Sequence, residues 1–232
     1  MHEPLHMTED LTLIRDQIRR FVTEEVIPNG EAWEVDGMVP RATLAQMGEL
    51  GFLGMRHPEA YGGSGLNALA SLILSEELGR STFGGVSATV LVHTDMASPH
   101  LARYGTDAQK AKYLPKLVSG EHVGALAMSE PGAGSDVVSM KLRAEAVDGG
   151  YVLNGNKMWI TNGPDADVLV VYAKTDPEAG SRGITAFIIE KDYEGFSTAQ
   201  KLDKLGMRGS NTGELVFQDC FVPAENVVGD LG

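Results

Sequence analysis

The segment Ala127-Met128-Ser129-Glu130-Pro131-Gly132-Ala133-Gly134-Ser135-Asp136 stands at the turning point of the chain. It opens as the end of a strand at Met128 and becomes a loop at Pro131. Two glycines flank Ala133, so the backbone can bring N–H groups close to an anionic or carbonyl-rich ligand, and Ser129 and Ser135 add hydroxyls. On residues alone the segment is either a phosphate or cofactor loop or an ordinary turn. It is not a Walker loop, because no Gly-Lys-Ser/Thr follows. Nor is it a dinucleotide fingerprint, because the glycine spacing fails and no helical pattern opens behind it.

Upstream of it the chain reads as helices. Thr8 caps a helix with Glu9 and Asp10 in its first turn, where acidic side chains suit the dipole. Leu11, Ile14, Ile18, Phe21 and Val22 give it one apolar stripe, and Pro28 and Gly30 are expected to end it. Further helices are expected from Pro40 to Gly51, Asn67 to Leu78, Val86 to Tyr104 and Thr106 to Val118, the last with a possible kink at Pro115. The glycine-rich stretch Pro58 to Gly65 reads as a loop.

Downstream the runs are short, β-branched and broken by turn residues. Strands are expected at His122 to Met128, Lys141 to Val147, Tyr151 to Leu153, Lys157 to Thr161, Val168 to Lys174, Ile184 to Glu190, Phe196 to Leu202 and Glu214 to Phe221, with Asp148-Gly149-Gly150 as a hairpin turn. This spacing predicts an antiparallel sandwich or barrel rather than a parallel sheet with crossover helices. The fold class is therefore α+β: an all-α domain over residues 1–120 and an antiparallel β-barrel-like domain over residues 121–232.

Two more stretches can carry chemistry. In Lys157-Met158-Trp159-Ile160-Thr161-Asn162-Gly163, regular alternation puts Met158 and Ile160 on the core face and Lys157, Trp159 and Thr161 on the other. A tryptophan with a hydroxyl two residues on makes a flat platform suited to an aromatic heterocycle, or else a surface or interface tryptophan. Ser181-Arg182-Gly183 places an arginine that can clamp a phosphate or simply be solvated. The single cysteine, Cys220, permits no disulfide within the chain and reads as a small strand hydrophobe.

The formal net charge of −13, with no basic run, argues against nucleic acid as a partner. No apolar stretch reaches membrane-spanning length, and Met1 to Asp10 lacks the pattern of a signal peptide, so a cytoplasmic or organelle-matrix location is expected. His2-Glu3-Pro4-Leu5-His6 spells the H-E-x-x-H of zinc hydrolases, but Pro4 disfavours helix at Glu3 and so denies the two histidines a shared face. No metal is expected. His93 and His100 read as core or surface histidines.

Together these residues resemble the acyl-CoA dehydrogenase family. Ala127 to Ser139 matches its first signature position by position, and Trp159-Ile160-Thr161-Asn162 is similar to its second flavin segment at the expected distance. Lys201 to Thr212 (KLDKLGMRGSNT), Asn154 to Thr175 and Ser181 to Ile189 resemble the isovaleryl-CoA branch, whereas Ala88 to Leu101 departs from it. The resemblance covers essentially the whole chain.

It implies FAD as cofactor and α,β-dehydrogenation of a short acyl-CoA, branched or straight, to the trans-2-enoyl-CoA, with hydride transfer to flavin N5 and an electron-transfer flavoprotein as acceptor. It also implies a homotetramer and, for a eukaryotic source, the mitochondrial matrix. Carried over to this numbering, Leu126, Ala127, Met128, Ser129, Glu130, Pro131, Gly132, Ala133, Gly134 and Ser135 would line the flavin, with Ser129 bonded to its pyrimidine end. Trp159 would pack on it, Ile160 would belong to the same flavin-binding segment, and Thr161 would donate toward N5, where electron density builds. Ser135, Ser181 and Arg182 would contact acyl-CoA. Glu130 fits better as an acceptor of backbone N–H groups than as a base. The family's base glutamate lies in a C-terminal four-helix bundle, and the chain reaches Gly232 about where that domain would begin; no catalytic residue is assigned, and a fragment is expected. A non-catalytic flavin- or acyl-CoA-binding or docking role is the alternative.

Overall fold

A computed structural model describes residues 7–232, so the His2–His6 motif lies outside the described residues. The helical half contains α1 (Glu9–Phe21), α2 (Ile27–Asp36), α3 (Arg41–Glu49), α4 (Ala68–Gly79), α5 (Gly84–Leu91), α6 (Ser98–Tyr104) and α7 (Asp107–Val118). Local chemistry accounts for the starts. Thr8 accepts from Leu11 N, Asn67 accepts from Leu69 N, and Thr106 with Gln109 forms a reciprocal capping box.

The expected stop at Pro28 and Gly30 is overturned: the chain stays helical through both and ends at Gly37 in the left-handed region. A π-helical turn, Val22–Val26, ends two residues before Pro28, and a second, Val92–Ala97, ends two residues before Pro99. Proline lacks an N–H and clashes with the carbonyl four residues back, and a widened turn relieves both problems. The Glu25 carbonyl takes a hydrogen bond from Asn29 Nδ2 at 2.8 Å. Gly30 is required by packing, since a Cβ there would fall 2.2 Å from the Phe83 ring.

The β half contains β1 (Gly124–Ala127), β2 (Arg143–Val147), β3 (Gly150–Thr161), β4 (Val168–Lys174), β5 (Ile184–Glu190), β6 (Phe196–Lys201), β7 (Thr212–Pro223) and β8 (Val227–Val228). They form one sheet in the order β6-β7-β3-β2-β4-β5-β8, with β1 also on β4. Two expectations need correction. The sheet is open rather than closed into a barrel, with β6 and β8 at its ends. It is mostly antiparallel, yet β1 and β2 both run parallel to β4. The two short strands expected at Tyr151 and Lys157 are one twelve-residue strand, β3, whose pairing with β7 is interrupted by two register shifts, at Leu153–Gly155 and at Lys157–Ile160.

Each half has its own core: Leu11, Ile18, Phe21, Leu44, Met47 and Leu74 among the helices, and Leu142, Leu153, Phe187, Ile189, Leu215 and Phe217 within the sheet. A third cluster joins them. Alternation along β4 turns Leu169 and Val171 into the sheet core and Val168 and Val170 onto Leu101, Leu114 and Leu117 of α6 and α7. Both faces of β4 are thereby buried.

The seam is also stitched by polar groups. His93 is fully buried, with Nε2 2.8 Å from Leu117 O and Nδ1 2.9 Å from Gly124 N. Nδ1 must accept from an amide, so the proton sits on Nε2 and the ring is neutral. Burial pushes its pKa down to about 4. Asn162 Nδ2 donates to Thr89 O at 2.9 Å and Gly124 O at 3.3 Å.

Candidate functional site

The Ala127–Asp136 loop is held by one buried ion pair. The Lys157 ammonium, wholly buried in β3, donates to Met128 O and to Glu130 Oε1, both at 2.9 Å. Glu130 also accepts from Lys141 N at 2.6 Å and Leu142 N at 2.9 Å, so its carboxylate closes the whole loop from 130 to 142. Its acceptor role toward backbone amides is as read from the sequence, although the amides belong to the strand-ward end of the loop. Burial drives the Lys157 ammonium below the ordinary lysine range, while Glu130 acts in the opposite direction.

Lys157 is the main correction to the predicted strand faces. Between Lys157 and Ile160 two residues of β3, Met158 and Trp159, stand opposite the single Glu214 of β7. That bulge breaks the alternation, so Lys157 and Ile160 both turn inward and Trp159 turns out. Trp159 sits at φ +61° and is 53% exposed, a conformation uncommon for a bulky residue. A bulge that spends strain to present an indole to the surface is a typical device of ligand sites. Asn162, at φ +64°, ends the strand and takes Asn211 O at 2.7 Å through its N–H.

The Trp159 indole borders an open cleft where the two halves meet. Thr161, Ala88 of α5, and Lys204, Met207, Ser210 and Thr212 of the chain entering β7 share its lining. Lys204 Nζ donates to Ser210 O at 2.5 Å and to Thr212 Oγ1 at 2.9 Å, which curls the 204–212 chain. Glu34 of α2 accepts from Arg208 N at 2.6 Å and ties that chain to the helices. Glu34 has no sequence signal of its own, and Lys204 to Thr212 carry one only as part of the family-like segment Lys201 to Thr212. Lys157 did have one, an isolated charge inside a strand, but regular alternation assigns it to the wrong face.

Of the remaining predicted residues, Leu126, Met128 and Ser129 are half-buried, and Ser129 O accepts from Met158 N at 2.9 Å, which sets the loop beside the Trp159 bulge. Ala127, Ala133 and Ile160 turn their side chains into the core and can offer a ligand only backbone. Pro131, Gly132, Gly134 and Ser135 are exposed, and a Cβ on either glycine would meet nothing within 4 Å, so packing does not explain these glycines. Ser181 and Arg182 are exposed on the turn Pro177–Gly183, which packs against the turn Val137–Ser139 beyond Ser135. The loop from Ser129 to Ser135 and the turn at 181–182 do not line the Trp159 cleft. Among the described residues no cluster of His, Cys, Asp or Glu could hold a metal ion.

Residues 8–121 match the acyl-CoA dehydrogenase N-terminal domain, and residues 125–220 match the acyl-CoA dehydrogenase middle domain. The chain belongs to the acyl-CoA dehydrogenase family. It is 58% identical over 220 residues to the mitochondrial isovaleryl-CoA dehydrogenase of Solanum tuberosum, covering 94% of this chain and 53% of that protein. An acyl-CoA dehydrogenase crystal structure from Geobacillus kaustophilus superimposes with a TM-score of 0.94 at 40% identity, covering 99% of this chain and 60% of that one. An acyl-CoA dehydrogenase from Bacillus anthracis complexed with FAD gives a TM-score of 0.91 at 38% identity, covering all of this chain and 39% of that one. The chain thus spans about half the length of the curated relatives it matches. FAD is the cofactor to which this acyl-CoA dehydrogenase likeness points.

Proposed function

We propose that this protein takes part in FAD-dependent α,β-dehydrogenation of a short, branched acyl-CoA. The observation that carries the reading is Trp159, turned out by the β3 bulge beside Thr161, in a chain whose two halves match the family's domains. The residues suit the cofactor. A half-exposed indole offers a flat apolar face, Thr161, Ser210 and Thr212 line the same cleft, and Gly132 and Gly134 leave two positions of the preceding loop bare of side chains. Bound FAD would supply a hydride acceptor at N5.

In this reading the residues that would hold FAD are Leu126 to Ser135 with Trp159, Ile160 and Thr161. Ala127, Ala133 and Ile160 act through backbone groups. Glu130 is spent on Lys157 and two amides and keeps the loop in shape, so it is a positioning residue and not a base. Thr161 donates a hydrogen bond where negative charge develops. Ser135, Ser181 and Arg182 serve the acyl-CoA side, with the Arg182 guanidinium as a phosphate clamp. Residues 1–120 and 121–232 are the two domains. An electron-transfer flavoprotein as acceptor, a homo-oligomeric assembly and, given the mitochondrial relatives, a matrix location complete the proposal.

The test is a visible spectrum of the full-length gene product after loading with FAD and gel filtration. Retained flavin absorbance that bleaches faster with isovaleryl-CoA than with a straight-chain acyl-CoA is expected. A product that retains no flavin overturns the proposal. Bleaching that favours straight chains overturns the substrate class alone.

A further inference from the structure

We propose that the junction between the two halves binds one structural water, held by the side chains of Thr89 and Asn211. A small cavity of about 10 Å³ lies between α3, α5, the end of β3 and the start of β7, and Arg41, Thr89, Val123, Asn162 and Asn211 line it. That is room for the centre of a single water and nothing larger. Thr89 Oγ1 and Asn211 Oδ1 are both buried and have no partner within the protein. Their residues are only 5% and 8% exposed, so bulk solvent does not serve them.

The unpartnered Thr89 hydroxyl is informative because the chain shows what helical hydroxyls ordinarily do. Thr12, Thr23, Ser75 and Ser98 each donate back to the carbonyl four residues earlier. Thr89, in α5, does not: its oxygen is buried without a partner, and the residue lines the cavity. Buried polar groups nearly always find a partner, and an orphaned pair at one cavity of this size calls for a bridging water. The chemistry selects water over an ion. The positive charge of Arg41 in the lining disfavours a metal cation, and the Asn211 carbonyl oxygen disfavours an anion.

The bridge has a structural consequence. Thr89 O already accepts from Asn162 Nδ2 at the exit of β3. Through the water, the Thr89 hydroxyl also reaches Asn211 at the entrance of β7, where Thr161 and Thr212 pair. One residue of α5 then anchors both strands that border the Trp159 cleft. The water site rests on this packing alone and does not depend on which cofactor the cleft holds.

A high-resolution crystal structure of the protein, with Thr89→Val and Thr89→Ser beside the native chain, tests this. The native and serine forms should show a water within hydrogen-bonding distance of residue 89 and Asn211. The valine form should lose it and lower Tm by about 2–4 °C. A dry cavity in the native form, with the Thr89 hydroxyl on a protein carbonyl, overturns the proposal. So does a valine form that keeps both the water and the native Tm, since Thr89 would then not be its anchor.

Discussion

The interior of the sheet and the seam between the halves handle buried polarity in opposite ways. Inside the sheet a full ion pair, Glu130–Lys157, is sealed from solvent at 2.9 Å. At the seam the deeply buried groups are neutral, His93 and Asn162, and the charges stand at the edge, where Arg41 pairs with Asp167, and Lys191 adds a contact to Asp167 at 3.1 Å. A buried pair is costly to assemble and worse to break, because removing one partner strands the other charge in a low-dielectric interior. A half-exposed pair retains water as a substitute partner. The sheet interior therefore concentrates its dependence on two residues that shape the cofactor loop, and the seam spreads it.

The sharpest way to break this contrast is Lys157→Met. Stranding the Glu130 carboxylate should cost about 3–5 kcal/mol in urea unfolding. Glu130→Gln leaves a single acceptor oxygen for Lys141 N and Leu142 N and removes the counter-charge of the Lys157 ammonium, so it should cost a similar amount. Small losses for both would mean that the pair is not dry.

Next comes pH. The folded His93 pKa, about 4, lies below its unfolded value near 6.5, so the unfolded chain binds the extra proton between those values. Stability should be unaffected above about pH 7 and fall through that window, by on the order of 3 kcal/mol at pH 4. His93→Gln should lack that part of the slope; a native slope in this variant would show that another group carries it.

Arg41→Ala at the seam edge should cost only about 1 kcal/mol. Burial raises the Asp167 carboxyl, but hydrogen bonds from Arg41, Val123 N and Lys191 outweigh it and hold the pKa below the usual range. The stabilisation from Asp167 is thus present at neutral pH and lost as pH falls below about 4. Asp167→Asn should converge on the native curve there, and a constant offset down to acid would count against the ion pair. Arg182→Ala, on an exposed turn, should leave Tm within about a degree and weaken only acyl-CoA binding in calorimetry, while an unchanged affinity would remove Arg182 from the site.

Much of this was legible before the fold was known. The change from helical to strand-like patterning was readable near Gly120, and caps at Thr8, Asn67 and Thr106 placed helix starts because a cap is a local bond between near neighbours. The signature segments carried the family. What the sequence could not supply were features that depend on distant chain. Pro28 and Gly30 look like helix stops until the π turn and the Phe83 ring are in place. Strand count and spacing predict a barrel, but closure depends on whether the two end strands meet, and β6 and β8 do not.

The same division holds at the site. The sequence by itself determined that Trp159 and Thr161 lie on one strand after a glycine-rich loop, because order along the chain is covalent. Only the tertiary structure decided that Lys157 faces inward, since a bulge shifts the period by one residue and the partner that rewards burial, Glu130, is 27 positions away. A buried charge is tolerated only where its counter-charge is delivered by the fold, and no local pattern records that delivery.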